Sequence, residues 1–524
     1  MLSKNLNTKR IWNNSPCYGV LALVLGLMLV EWLRGAPVPS CLPQDFQSFQ
    51  NKAIELILSK TFQSVVVGNL FFYHLLLLWL NGRGRNQDFG IKRQWWRALD
   101  ASDWCKLFLV LCAVWRYMVE WKIIPDSGDK DLFLFGIDQS TNVLVFLAGI
   151  VLGQFVEMLV PRYAQVRFSF ARVSLITLVM FLAVASLAQN KWAFQFRYRD
   201  EIRTTGLWNN PNTYGLLMGI GLVLALAYLT QGTGLVRRNQ LGKPSDKDSD
   251  LQYGERRRRI SLGSVCVVGI ATILLTTGLF HSFSRGAWLA TLAGCAFVFS
   301  NAHMADRGKL TSWFELKGIA GLAWLRREKW LLIIAGCSII TLILTCQPYM
   351  HHRLTRRATS VVNANDFSMR YRLIAYKGAL QIMADHPITG VGWHRVGPRF
   401  EYFYAPSILA ESRSIILNDY MTTGMALGIP ALICFIGLVW ISWNGFARAH
   451  NGLGSANWHL TNQKAGHHES RSKSWLEQAY RGALIVLLIG FWFDGGLFKL
   501  VLAVPFWLFL ELSNQPLIKV NERE

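Results

Sequence analysis

The chain has 524 residues, 52% of them hydrophobic, with 31 Phe and 21 Trp and a formal net charge of +22. A soluble chain of this length usually divides into several domains. Here the apolar residues come instead as blocks of roughly 17–25 residues with few charges, the length that spans a bilayer as helix. The positive charge is parcelled between these blocks, which excludes nucleic-acid binding as its purpose.

In chain order the candidate spans are 17–34, 63–80, 104–120, 141–160, 171–189, 213–230, 261–280, 285–300, 331–346, 417–441, 479–493 and 496–512. They predict an all-α integral membrane protein with about twelve transmembrane helices. The stretch "EWLRGAPVPS" after the first span imitates a signal-cleavage site, but the cationic "KNLNTKR" before it suits a retained first helix. The predicted organisation is a cytoplasmic tail at 1–16, nine helices in 17–346, a large loop at 347–416, three helices in 417–512 and a second tail at 513–524. With the N-terminus inside, the inner loops carry "NGRGR", "IKRQWWR", "VRR", "GERRRR", "WLRREK" and "ESRSK". This is the positive-inside pattern. The polar inner loop "GKPSDKDSDLQYGERRRR" suits contact with anionic membrane lipids. The nine cysteines lie scattered, mostly in apolar runs and without metal-ligand spacing, so they read as packing residues and no metal is expected.

Three outer loops break the charge rule. Segment 190–212 holds Arg197, Arg199 and Arg203. The turn "HSFSRGAWLA" holds Arg285, and 347–416 holds eight arginines including Arg370, Arg395 and Arg399. In "RTTGLWNNPNTYG", Asn210 suits an N-cap and Pro211 the first helical position, so a helix begins at the outer surface. Such an end has a positive dipole and unpaired N–H groups, and it attracts anions. "SRGAW" repeats the device: Ser284 caps, Arg285 supplies a planar fork of donors, and Gly286 permits close approach. Two helix entrances with two arginines predict a cradle for a phosphorylated lipid headgroup.

The large loop is not structureless. "SMRYRLIAYKGALQIMADHP" reads as an amphipathic helix, with Met369, Leu373, Tyr376, Leu380 and Met383 on one stripe and Arg370 and Lys377 on another side. His386-Pro387 ends it. A glycine-rich turn, "ITGVGWHRVG", follows, and then the aromatics of "FEYFYAP", which suit either sugar stacking or interfacial anchoring.

Four elements in order resemble the O-antigen ligase and polymerase superfamily: R-x-x-G-x-x-x-N-P-N at Arg203 to Asn212, "SRGAW" at 284–288, Arg370 with "HPITGVGWHRVG" at 386–397, and "LNDYMTTGMALGIPA" at 417–431. The resemblance covers mainly 200–440. It implies a GT-C-like membrane glycosyltransferase with a large, partly helical periplasmic loop between helices 9 and 10, working at the outer face of a bacterial inner membrane. The implied partners are an undecaprenyl-diphosphate-linked glycan as donor and a glycan or lipid as acceptor. No cofactor is implied, and no metal.

The resemblance assigns the donor diphosphate to Arg203 and Arg285. Asn210, Asn212, Ser284 and Arg370 join that group, and His394, Arg395, Tyr402 and Tyr404 are the candidate glycan or acceptor residues. The family's ligases carry His-Asn after the large loop. Asn418 fits the second position, but the first is Leu417. This departure shifts the reading from a strict lipid A ligase toward a polymerase or divergent transferase. Asp419 stands as a candidate substitute, so the expected catalytic set is Arg203, Arg285, Asn418 and Asp419. Attack of an acceptor hydroxyl opposite the diphosphate predicts inversion.

The competing class is a lipid-linked glycan transporter, which favours ionisable groups facing a mid-membrane cavity. Against it, polar density concentrates at the outer face, Arg116 and Glu120 read as an ion pair, and His74 and Asp494 read as isolated. A purely structural membrane scaffold explains neither cationic helix entrance.

Overall fold

The computed structural model describes residues 60–88, 96, 99–121, 142–155, 164–187, 195–198, 201–208, 210–238, 262–310, 367–393, 395–404, 418–452, 468–493 and 495–514. The expected spans 17–34 and 331–346 lie outside them. In chain order the helices are α1 (Lys60–Asp88), α2 (Ala101–Trp121), α3 (Asn142–Phe155) and α4 (Ala164–Leu187). A hairpin follows, of β1 (Gln195–Tyr198) and β2 (Glu201–Thr204), and then α5 (Pro211–Arg238), α6 (Leu262–His281) and α7 (Arg285–Leu310). Next come α8 (Phe367–Asp385), the single turn α9 (Val396–Arg399), α10 (Asp419–Leu427), α11 (Ile429–Gly452), α12 (His468–Phe493) and α13 (Leu500–Asn514). Among the described residues, three stretches, Gln63–Asn81, Pro211–Thr230 and Leu476–Phe493, are long and apolar enough to cross a membrane.

The described residues are thus mostly helical, as expected, with one addition among them. The arginine-rich loop at 190–212 holds a two-stranded antiparallel hairpin in which Phe196 pairs with Arg203 and Gln195 with Thr204. Four-residue strands separated by so short a link carry too little alternation to stand out from a polar loop.

The chain divides into two compact units. The unit containing residues 162–366 and 453–490 is built round α5. Its sequence "PNTYGLLMGIGLVLALAYLT" is apolar on all sides, and such a helix is buried on all sides. α4, α6 and α7 pack against it, and the 211–230 stretch is 89% buried. Glycines allow the close approach. A Cβ at Gly215 would lie 2.7 Å from Ser282 Oγ and 2.9 Å from Ala287 Cβ. The first turn of α5 therefore lies directly against the turn that opens α7.

The other unit contains residues 1–161, 367–452 and 491–517. α11 packs along α2 and α13, and α8 rests on α10. Its core is aromatic: Trp393, Phe498, Phe146 and Trp507 meet at ring-centroid distances of 5.1–6.1 Å.

The expected single span at 417–441 is broken. α10 ends at Gly428, whose φ is +93°, and α11 starts at once. The preceding glycine turn fills the break. Val391 N–H donates to Met425 O (2.7 Å) and Gly392 N–H to Ala426 O (3.0 Å), while Ile429 N–H donates to Pro387 O (2.7 Å). The last carbonyls of α10, which no helix can satisfy internally, are capped by the "TGVG" turn. Gly390 (φ +63°) and Gly392 (φ +91°) make that approach sterically possible.

The stripe expected on α8 is displaced. Tyr371, Ala375, Ala379, Ile382 and Met383 are buried, whereas Leu373 and Leu380 are more than half exposed. The packing contact is made by the smallest residue: Phe400 sits where a Gly378 Cβ would be. Tyr376 lies on the flank and donates its hydroxyl to Trp492 O (3.1 Å).

Gly428→Ala is expected to destabilise the protein by about 1–3 kcal/mol, since φ is left-handed there and a Cβ would meet Ile388 O. The apparent unfolding temperature in detergent should fall. An unchanged temperature would mean that the helix break is dispensable.

Candidate functional site

The loop before α5 closes on itself first. Gly206 (φ +58°) turns the chain so that the rings of Trp208 and Tyr214 meet in a tilted pair at 6.1 Å. Asn210 then caps α5: its Oδ1 accepts from Asn212 N–H (2.8 Å) and Thr213 N–H (3.4 Å). This corrects one expectation. The first position is Pro211, without an N–H, and the next two amides are taken by the cap. Any pull of this entrance on an anion therefore comes from the helix dipole and side chains rather than from unpaired amides.

The α6–α7 turn is as tightly determined. Phe283 is buried with φ +49°, a strained backbone for a residue with a Cβ. Ser282 Oγ donates to Leu279 O (2.6 Å) and accepts from Ser284 N–H (3.2 Å). Ser284 Oγ accepts from Ala287 N–H (3.3 Å), the predicted N-cap of α7. Trp288 Nε1–H closes the turn on Leu279 O (2.9 Å).

Arg203 joins the two entrances. From β2 its Nε donates to Ser282 O (3.1 Å), and an Nη donates to Asn212 Oδ1 (2.9 Å). One guanidinium thus touches the turn before α7 and the first turn of α5, and these contacts set the plane of its fork. Arg285 follows Ser284 directly as the first residue of α7 and is half-buried. The structure brings Arg203, Asn210, Asn212, Ser284 and Arg285 together in one unit. Thr213, which sequence reasoning missed, belongs beside them: it is 4% exposed, and its hydroxyl has no hydrogen-bond partner among the described residues. Its place three residues after the cap was the one available signal.

The remaining candidates belong to the other unit. Arg370 lies in the first turn of α8. Asn418 is the N-cap of α10, its Oδ1 accepting from Tyr420 N–H (3.0 Å) and Met421 N–H (3.2 Å). Asn418 is 1% exposed, and its Nδ2 has no partner among the described residues. Asp419 is fully buried, and its Oδ2 accepts from Gly496 N–H (2.8 Å) and Leu497 N–H (2.7 Å). That geometry gives the carboxylate an anchoring task, tying α10 to the turn before α13.

Arg395, Tyr402 and Tyr404 lie on the segment after the glycine turn, which forms α9 and then one π-turn, Phe400–Tyr404. His394 and Leu417 are outside the described residues. Tyr402 is 74% exposed. Tyr404 donates its hydroxyl to Asp385, and that bond to a carboxylate raises the phenol's pKa above its ordinary value.

Arg116 and Glu120 pair as expected, at 3.6 Å. His74 is not isolated: its Nδ1 lies 2.7 Å from Gln154 Oε1, both side chains being fully buried. In the same unit Lys106 Nζ lies 2.5 Å from Glu511 Oε1, with both residues 2% exposed or less. Asp494 is outside the described residues.

Residues 270–436 match the family model described as O-antigen ligase. The match takes in Ser284, Arg285, Arg370, Arg395, Tyr402, Tyr404, Asn418 and Asp419, and begins after Arg203, Asn210 and Asn212. Comparison with curated proteins returns no match.

If Arg203 braces the two entrances, Arg203→Lys and Asn212→Ala act on one interaction. Each should lower the unfolding temperature, and the double variant should show a coupling of about 0.5–3 kcal/mol. Additive losses would mean that the bridge contributes nothing.

Proposed function

A member of the O-antigen ligase/polymerase superfamily by its ligase domain at 270–436, this chain, we propose, transfers glycan from an undecaprenyl-diphosphate donor to a sugar hydroxyl. The reaction takes place at the periplasmic face of a bacterial inner membrane. The observation that carries the proposal is the pairing of the α5 and α7 entrances through Arg203, with Arg285 leading α7.

In this reading the guanidinium groups of Arg203 and Arg285 hold the donor diphosphate, with Asn212 and Ser284 setting their surroundings; Arg370 is the further arginine that the family resemblance adds to the diphosphate group. The acceptor oxygen bonds to the anomeric carbon as the bond to the diphosphate oxygen breaks. The electron pair leaves on the phosphate, the hydroxyl proton is released, and the configuration inverts. Charge accumulates on the leaving diphosphate, and pre-oriented guanidinium donors stabilise it most where it is largest. Asn418 offers its buried amide, and Asp419 holds the helix that carries it. His394, Arg395, Tyr402 and Tyr404 serve the acceptor glycan. With Leu417 at the ligases' histidine position, positioning carries more of the task than a general base, and the polymerase branch is favoured. The twelve-helix, GT-C-like arrangement with its loop at 347–416 is part of this proposal.

A second reading, transport of a lipid-linked glycan, is favoured by one observation: the buried groups His74, Gln154, Lys106 and Glu511. Ionisable groups within a membrane span commonly mark a pathway.

One reconstitution separates the two. Purified protein in liposomes with an undecaprenyl-diphosphate glycan should extend it into longer lipid-linked chains, seen as a ladder on a gel. Arg203→Ala or Arg285→Ala should cut the rate by about 10²-fold or more. Movement of the glycan lipid between leaflets with no new glycosidic bond would overturn the transferase reading.

A further inference from the structure

The glycine turn that caps α10 also covers the Arg116–Glu120 pair. A Cβ at Gly392 would run into the Glu120 carboxylate and lie 2.5 Å from Arg116 Nε. The chain leaves this turn straight into Arg395, whose N–H donates to Gly392 O (3.3 Å), and then into α9, where Arg399 N–H donates to Arg395 O (2.9 Å). Arg395 and Arg399 are therefore on one face, four residues apart, and like charges at that spacing repel. Both lie within electrostatic reach of Arg116.

Among the described residues, three carboxylates lie beside this group, each with an interaction of its own. Glu120 is buried and paired with Arg116. Asp385 accepts from Tyr404. Glu401 lies half-buried in the adjoining π-turn. The next residues are unusually bare for aromatics: Tyr402 is 74% and Phe403 69% exposed, and the Arg399 guanidinium stands over the Phe403 ring at 5.4 Å. Exposed ring faces suit the apolar face of a sugar, and a guanidinium fork suits a carboxylate or phosphate in a paired hydrogen bond.

We propose that Arg116, Arg395 and Arg399, with Tyr402 and Phe403, form a subsite for an anionic group on the glycan, so that the protein handles an acidic saccharide. This rests on the transferase reading and names its substrate class. A uronate and a phosphorylated sugar share the recognising chemistry.

The test is binding alone, with the full chain in nanodiscs and three probes of equal length: maltotetraose, tetragalacturonate and a monophosphorylated maltotetraose. At low salt the anionic probes should bind about tenfold more tightly than the neutral one. The tighter of the two identifies the source of the charge. Arg395→Gln with Arg399→Gln should remove the difference, and the double lysine variant should restore part of it, because charge remains. A fold defect would weaken all three probes together and would not be rescued by lysine. Equal affinity for all three probes, or a difference that survives the double Gln substitution, would overturn the proposal. No donor or transfer step is involved, so failure here leaves the transferase reading standing, and failure of glycan extension leaves this binding readable.

Discussion

The site depends on one guanidinium. Arg203 reaches from β2 to Ser282 O and Asn212 Oδ1, and through them it touches the entrances of two helices distant in sequence. A lysine offers one point of charge without the rigid planar fork that fixes both contacts at once. Because α5 is buried on all sides and the α6–α7 turn is stitched by Ser282, Ser284 and Trp288, neither acceptor is free to shift. The arginine is therefore oriented before any ligand arrives. Electrostatic stabilisation of a leaving group requires that condition, since donors that reorganise during the reaction lose most of their advantage.

The second unit is organised by backbone rather than charge. The "TGVG" turn and the "TTGMALGIP" segment form one interlock: amides of Val391 and Gly392 complete the end of α10, and Gly428 lets α11 begin against it. The fully buried Asp419 fastens the other end of α10 to Gly496 and Leu497. Asn418, one residue before Asp419, is placed by its own capping bonds. The spacing of polar residues and glycines in this motif thus has a mechanical cause, whatever chemistry is added to it.

Much of this was legible in the residues. Asn210 before Pro211 and Ser284 before Arg285 announce helix starts by cap chemistry alone, and both cap as expected. The i,i+4 spacing of Arg116 and Glu120 announces their pair. Other features depend on partners remote in the chain. The α8 stripe moved because Gly378 admits Phe400, a contact that periodicity cannot contain. Asp419 reads as a candidate substitute for the ligases' histidine, while the amides that its carboxylate accepts from, Gly496 and Leu497, are remote in the chain and leave no local signal. The break at Gly428 was hidden because an apolar run reads as continuous until something else fills its gap. His74 reads as isolated in the sequence because its partner, Gln154, lies on a different helix.

The central claim is that the α5 and α7 entrances, joined by Arg203, hold a diphosphate. It is tested most directly by native mass spectrometry of the purified protein with undecaprenyl diphosphate and undecaprenyl monophosphate in competition. The account predicts that the diphosphate is retained in preference, and that Arg203→Lys, which keeps the charge but not the fork, loses the preference. Equal retention of the two lipids, or a preference indifferent to Arg203→Lys, would contradict it.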